Sequence, residues 1–270
     1  MAPDTRPRNI LDLLAMKRDG RKIVMLTAYD ALWARLLAEA GVDILLVGDS
    51  VNQVLMGEAT TLNATLDQMI YHGRAVKKGS GGALVFVDLP FLTYQVSIED
   101  AMRNAGRVMQ ETGVNGVKLE GGRLMAATVR ALVDIGIPVM GHIGLTPQSM
   151  HALGGYRVQG RDPSAAQRML DDARALEEAG AFAIVLELVP AEVAGQISQA
   201  LTIPTIGIGA GALCDGQVLV TPDMVGLNEA FKPKFLKHYA ELADMVRAAV
   251  KQYGEDVRGG TYPGREHSFE

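Results

Sequence analysis

Leu84-Val85-Phe86-Val87-Asp88 is a short apolar run, rich in β-branched residues, that ends on a carboxylate. Three other runs end on ionisable residues in the same way: Leu45-Leu46-Val47-Gly48-Asp49, Val117-Lys118-Leu119-Glu120 and Ile184-Val185-Leu186-Glu187. Runs of this length and composition read as strands buried on both faces. Charge is costly within such a strand and useful at its end, where it can meet solvent, a metal or a substrate. Several strands that deliver carboxylates at their C-terminal ends imply one shared site.

Outward from these runs, strand and helix patterns alternate along the chain, as parallel βα units require. Strands are expected near residues 24–28, 44–48, 84–87, 116–119, 139–142, 183–187, 205–208 and 217–220. Helices are expected near 10–17, 31–39, 66–77, 98–111, 125–134, 165–178 and 191–200, with residues 235–250 as the closing helix. Helices give way to strands through Ala40-Gly41-Val42-Asp43, Thr112-Gly113-Val114-Asn115, Ile135-Gly136-Ile137-Pro138 and Ala179-Gly180-Ala181-Phe182. A glycine at that point accepts the left-handed conformation that caps a helix. Eight such units give an α/β fold of the (β/α)8 TIM-barrel type with a short N-terminal helix, in a single domain over residues 1–270. A doubly wound open sheet fits less well, because no glycine-rich dinucleotide fingerprint follows an early strand.

Composition narrows the function. The chain has 270 residues, 48% of them hydrophobic, enough for one large core. Its formal net charge of −5 and the scatter of its basic residues argue against a nucleic-acid partner. One cysteine, Cys214, excludes an internal disulfide framework and fits a reducing compartment. The segment Met1–Arg8 carries charge and proline but no apolar signal core, and no stretch approaches the ~18 apolar residues of a membrane span. A soluble cytoplasmic protein with no membrane partner is the expectation.

Asp49 and Asp88 each follow a hydrophobic strand core, and neighbouring strand ends of a barrel lie close together. Carboxylate oxygens with open positions suit Mg2+. The plain alternative for a single aspartate there is a helix cap or turn. Lys118 and Glu120, two apart, point to one strand face. They are read either as an anchor for an anionic substrate and a metal-bound water or as a salt bridge plugging the barrel. Glu187 lies between Ile184-Val185-Leu186 and Leu188-Val189-Pro190, an apolar neighbourhood suited to a carboxylate base. A capping role is its alternative. His142, in Gly141-His142-Ile143-Gly144, can orient a substrate oxygen, ligate a metal or bond within the core. It has no companion at zinc spacing. Gly207-Ile208-Gly209-Ala210-Gly211 is either a phosphate-cradling turn or a loop whose small residues pack closely. The long stretches 50–65 and 143–162 follow strands 2 and 5 and are candidate lids.

Whole words of the sequence carry a closer resemblance. Leu26-Thr27-Ala28-Tyr29-Asp30, Leu46-Val47-Gly48-Asp49-Ser50, Val87-Asp88-Leu89-Pro90-Phe91 and Val117-Lys118-Leu119-Glu120-Gly121-Gly122 resemble the ketopantoate hydroxymethyltransferase family. So do Gly141-His142-Ile143-Gly144-Leu145-Thr146-Pro147-Gln148, Gly154-Gly155-Tyr156, Val158-Gln159-Gly160-Arg161, Asp215-Gly216-Gln217 and the terminal Tyr262-Pro263-Gly264. The resemblance implies Mg2+ at Asp49 and Asp88, with Glu120 nearby and acting through water. It implies Ser50 and Lys118 on the substrate carboxylate, His142 beside the oxo acid and Glu187 as proton acceptor. It also implies a (β/α)8 barrel and a homo-oligomer, typically a decamer. Val51-Asn52-Gln53 and Asn63 depart from the family pattern next to these residues.

The implied reaction is hydroxymethyl transfer from 5,10-methylenetetrahydrofolate to 3-methyl-2-oxobutanoate through an enolate. Its product is 2-dehydropantoate, on the route to pantothenate and coenzyme A. Two rivals stand beside it. Another Mg2+-dependent enolate enzyme of the same barrel group, an oxo-acid lyase or phosphoenolpyruvate mutase, often carries a Lys-x-Cys-Gly-His loop, which is lacking here. A non-catalytic barrel would leave the clustered carboxylates without a purpose.

Overall fold

The computed structural model describes residues 8–269. Most of the charged, proline-bearing N-terminal segment lies outside the described residues. The described chain falls into two compact units that divide after Val220.

The first unit is a closed barrel of eight parallel strands in sequential order. They are β1 (Ile23–Thr27), β2 (Ile44–Val47), β3 (Leu84–Asp88), β4 (Gly116–Lys118), β5 (Val139–Gly144), β6 (Ala183–Glu187), β7 (Thr205–Ile208) and β8 (Gly216–Leu219). β8 returns to β1 through Val24↔Gln217 and Met25↔Val218, so no sheet edge remains open. Helices Ala31–Glu39, Leu66–Gly79, Ile98–Thr112, Ala126–Asp134, Pro163–Glu178 and Ala191–Ala200 connect the strands. Their starts are fixed by side-chain caps where the sequence supplies them. Asp30, Thr65, Ser97 and Asp162 each accept a hydrogen bond from a first-turn amide. At their ends, Gly41, Gly113, Gly136 and Gly180 hold φ of +89°, +70°, +89° and +97°, the conformations expected of these four glycines.

The barrel interior is built by side chains two residues apart. Ile23 and Met25, Ile44 and Leu46, Leu84 and Phe86, Ala183 and Val185 share one cluster with Met140, Ile206 and Val218. Leu13 and Met16 from the helix Ile10–Arg18 belong to the same cluster, so that helix closes the barrel beneath the N-terminal ends of the strands. Phe86 and Phe182 stack with centroids 4.8 Å apart. They do so over Gly116, where a Cβ would lie 2.9 Å from the Phe86 ring. The plug is a packed layer, and the polar residues sit above it.

The second unit holds a short helix, Thr221–Met224, and a long one, Leu242–Gly259. The closing helix expected at residues 235–250 therefore begins later and runs further. The amides of Leu236, Tyr239 and Leu242 bond to the carbonyls of Pro233, Met224 and Val225, which removes them from a helical ladder. Smaller differences follow local hydrogen bonding. β5 continues to Gly144, β4 stops at Lys118, and short helices Val51–Val54 and Met150–Leu153 form inside the two long loops.

Candidate active site

The two-residue alternation that packs the plug also aims the site. Continuing inward from Phe86, Gly116, Met140 and Val185 leads to Asp88, Lys118, His142 and Glu187. Glu120 lies two residues beyond Lys118 and is also buried. Asp49 breaks the alternation: β2 has ended at Val47, and the turn brings the Asp49 amide to Asp88 Oδ2 at 3.1 Å. Gly48 stands at the inward position instead. A Cβ there would lie 2.8 Å from Ser50 Oγ and 3.5 Å from Asp88 Oδ2, so glycine keeps open the space between those groups.

Hydrogen bonds join the cluster across strands. Lys118 Nζ donates to Asp88 Oδ1 at 2.8 Å, and the two residues are directly paired in the β3–β4 register. The His142 ring lies between two carboxylates, with Nδ1 3.5 Å from Glu120 Oε1 and Nε2 3.3 Å from Glu187 Oε2. Neither approach has hydrogen-bond alignment, so the imidazole is held at ion-pair distance. Glu187 thus joins the buried group through His142. Its side chain keeps 16% exposure, against 3% for Glu120, and is the more accessible carboxylate. Ser50 Oγ hydrogen-bonds the Tyr29 hydroxyl at 2.8 Å, which fixes it beside the Gly48 space.

Anionic side chains outnumber cationic ones in this cluster. Burial, with Asp88 and Glu120 adding repulsion, pushes the Asp49 carboxyl up to about 8 despite Lys118 and the Gln148 hydrogen bond. Burial opposes the Lys118 charge, yet Asp88, Glu120 and Asp49 outweigh it and raise the ammonium above its ordinary value. For His142, burial and Lys118 favour the neutral ring, but Glu120 and Glu187 prevail and move it up to about 9. Glu120 is held below the usual carboxylate range against the pull of burial, by His142 and Lys118.

The backbone beside Glu187 is specialised. Leu188 has φ of +47°, a rare conformation for a branched side chain, and is held there by Leu188 N–Ile208 O and Gln159 N–Leu188 O bonds of 2.9 and 2.8 Å. Gly144 packs against the same turn: a Cβ there would be 2.2 Å from the Glu187 carbonyl oxygen. The two candidate lids meet where Gln53 Nε2 donates to the Tyr156 hydroxyl at 3.0 Å. The glycine-rich run after β7 shows close packing. A Cβ on Gly207 would lie 3.0 Å from Cys214 Sγ, and one on Gly211 would be 2.4 Å from Ala191 Cβ.

The donor set fits an oxygen-preferring divalent cation. Asp49, Asp88 and Glu120 are buried carboxylates with unshared lone pairs, beside a space that a single methyl would narrow. Among the described residues no group of three or more His, Cys, Asp and Glu side chains is placed to hold a metal ion by itself. A site that relies on two carboxylates and leaves positions for water and substrate is the Mg2+ type rather than the zinc type.

Sequence reasoning missed Gln148 and Tyr94. Gln148 Nε2 donates to Asp49 Oδ2 at 2.9 Å and to Leu89 O at 3.0 Å, and its amide N donates to Glu120 Oε2 at 3.0 Å. The Tyr94 hydroxyl lies 2.8 Å from Gln148 Oε1. Neither residue belongs to a periodic pattern. The Leu145-Thr146-Pro147-Gln148 word was the only signal, and it spoke through resemblance.

Comparison with known proteins is consistent along the chain. A family model described as ketopantoate hydroxymethyltransferase matches residues 8–265. A protein of Syntrophus aciditrophicus (strain SB), named 3-methyl-2-oxobutanoate hydroxymethyltransferase, is 57% identical over 94% of this chain and 93% of its own. One of the same name from Syntrophotalea carbinolica is 55% identical, covering 97% of this chain and 98% of its own. Among solved structures, a phosphonopyruvate hydrolase superposes with a TM-score of 0.62 at 12% identity, over 97% of this chain and 91% of that one. That likeness is one of fold.

Proposed function

Because the chain belongs to the ketopantoate hydroxymethyltransferase family, we propose that its barrel mouth transfers a hydroxymethyl group from 5,10-methylenetetrahydrofolate to 3-methyl-2-oxobutanoate, giving 2-dehydropantoate for pantothenate and coenzyme A synthesis. The observation that carries this reading is the buried group of Asp49, Asp88, Lys118 and Glu120, joined to the more accessible Glu187 by His142. Asp49 and Asp88 would hold Mg2+, with Glu120 supporting it. When bound, the cation supplies positive charge against the oxo-acid oxygen that becomes negative.

The chain's own residues supply the rest. Lys118 keeps donors beyond the one given to Asp88, and with Ser50 it binds the substrate carboxylate next to Gly48. Glu187 takes the proton from C3 onto a carboxylate oxygen. His142 lies between Glu120 and Glu187 and holds the base at ion-pair distance from the buried group. The enolate carbon then bonds to the one-carbon unit of the folate, while hydrolysis breaks that unit's bonds to the folate nitrogens, water supplying the hydroxyl oxygen and tetrahydrofolate leaving. Charge held in place by burial needs no reorganisation as the enolate forms. The family reading also carries a soluble cytoplasmic enzyme that works as a homo-oligomer, a decamer. Among the described residues no helix is long and apolar enough to cross a membrane.

The phosphoenolpyruvate mutase type of chemistry has no support beyond the fold. Cys214 is fully buried between β7 and β8, packed at Gly207, and cannot serve as an acid on a mobile loop. The deciding assay follows deuterium entry at C3 of 3-methyl-2-oxobutanoate in deuterated water, with and without Mg2+, and then 2-dehydropantoate formation on adding 5,10-methylenetetrahydrofolate. Mg2+-dependent exchange followed by folate-dependent product is expected. Exchange without metal, or no product with the folate, overturns the reading.

A further inference from the structure

We propose that Gln148 is a positioning residue for the cation, one that orients two carboxylates without neutralising them. The inference rests on the metal reading above. Gln148 is buried in the 3-10 turn Pro147–Ser149 that follows β5, and it reaches three other strand ends. Its side-chain amide is fully used. Nε2 gives one hydrogen to Asp49 Oδ2 and the other to Leu89 O, while Oε1 receives the Tyr94 hydroxyl and Gln95 Nε2 at 2.8 and 3.1 Å.

The amide has one possible orientation. The Leu89 carbonyl can only accept, so the NH2 group must face it, and the same group then faces Asp49. Tyr94 locks the other end. Its hydroxyl accepts from the Glu120 amide at 3.1 Å, and of the two acceptors within reach of its proton Gln148 Oε1 at 2.8 Å is nearer than the Glu120 carbonyl at 3.1 Å. The Gln148 backbone amide meanwhile donates to Glu120 Oε2. One residue therefore ties back one oxygen of Asp49 and one of Glu120, carboxylates that arise from β2 and β4. Asp49 Oδ1 and Glu120 Oε1 are left outside this clamp.

The choice of a neutral donor has a physical reason. A lysine or arginine at this place would cancel the negative charge that attracts a cation. An amide dipole fixes the carboxylates and leaves their charge in place. Residues that orient metal ligands in this way are worth about 10–100-fold in affinity.

The test is a titration with Mn2+ as the divalent probe, free ion being read by electron paramagnetic resonance, on the full chain and on Gln148→Leu, Gln148→Met and Tyr94→Phe. Melting temperatures are recorded in parallel. Gln148→Leu is expected to weaken Mn2+ binding about 10–100-fold. In turnover it should raise the Mg2+ activation constant, with much of kcat restored at saturating Mg2+. Tyr94→Phe should shift affinity the same way by a smaller factor, because the amide loses its lock. Should Gln148→Leu fail to fold, Gln148→Met keeps the length of the side chain and adds no charge but loses both N–H donors, and the same weakening is expected. Affinity within twofold of the parent in a folded Gln148 variant, even with a lower melting temperature, would reduce the residue to a structural part and overturn the proposal. No Mn2+ binding by the parent protein would overturn it by a different route, since the metal reading itself would then fail before any variant is compared.

Discussion

Lys118 Nζ and Asp88 Oδ1 lie 2.8 Å apart on paired residues of adjacent strands, both side chains at most 5% exposed. Removing the lysine leaves a buried carboxylate with no cation against it. Breaking such a pair from one side costs about 3–5 kcal/mol, far more than the pair itself contributes. Lys118→Met should therefore lower the urea-unfolding free energy by about that amount, and Lys118→Met with Asp88→Leu should recover part of it. A single variant within experimental error of the parent would show that Asp88 is compensated elsewhere.

Glu187→Gln keeps the shape of the side chain and removes its capacity to accept a proton. Binding of Mg2+ and oxo acid should persist, while C3 exchange in deuterated water should fall by about 10²–10⁴-fold. Exchange at the parental rate would take the base role away from Glu187.

The metal-free protein should lose stability as pH rises from 5 to 9. Asp49 is raised to about 8 in the fold, so between its ordinary value and 8 the folded state binds the extra proton. His142, raised to about 9, adds stability that is complete below its ordinary value of 6.5 and is lost as pH passes through 9. Both slopes run in the same direction, because the folded chain holds more protons than the unfolded one throughout the window. Melting curves in chelator at a series of pH values measure this. Asp49→Asn should flatten the lower part of the slope and raise the melting temperature at pH 8, while Asp49→Ala and Asp88→Ala both weaken Mg2+ and oxo-acid binding. Unchanged metal affinity in both alanine variants would end the assignment of Asp49 and Asp88 as ligands.

Gly48→Ala separates space from stability. The backbone there needs no left-handed conformation, and the added Cβ meets chiefly Ser50 Oγ, which can turn aside only by giving up its bond to the Tyr29 hydroxyl. Unfolding free energy should fall by only about 0.5–1.5 kcal/mol, the net worth of that one hydrogen bond. Oxo-acid affinity should fall by about 1–3 kcal/mol, as overfilling a packed space does, read by calorimetric titration. A variant that binds as well as the parent would place the substrate elsewhere in the mouth.

The legible part of the fold was the part written in local signals. Alternation of apolar runs with amphipathic segments predicted eight βα units, and Gly41, Gly113, Gly136 and Gly180 all take the positive φ that their position after a helix implied. Residues 235–241 were misread as helix because their composition suits one. Their amides are claimed by Pro233, Met224 and Val225, bonds that no local pattern announces. The site divides in the same way. Asp88, Lys118 and Glu187 were legible because each ends a strand at an inward position, and His142 because it stands inward two residues before the end of β5. Gln148 and Tyr94 were not, because they sit 54 residues apart and act through a contact made only when the loops after β3 and β5 close over the barrel.

By itself, the sequence determined which residues face inward and at which end of the strands, since a period of two and the order of apolar and ionisable residues are local properties of the chain. Family membership was determined there too, by words spread over nearly its whole length. Only the tertiary structure decided the pairings: Lys118 with Asp88, His142 between Glu120 and Glu187, and Asp49 held by Gln148 off the strand alternation. The physical reason is that periodicity encodes direction, whereas hydrogen bonds and charge balance depend on distance. Barrel closure sets those distances by bringing residues 49, 88, 120, 142, 148 and 187 to one mouth.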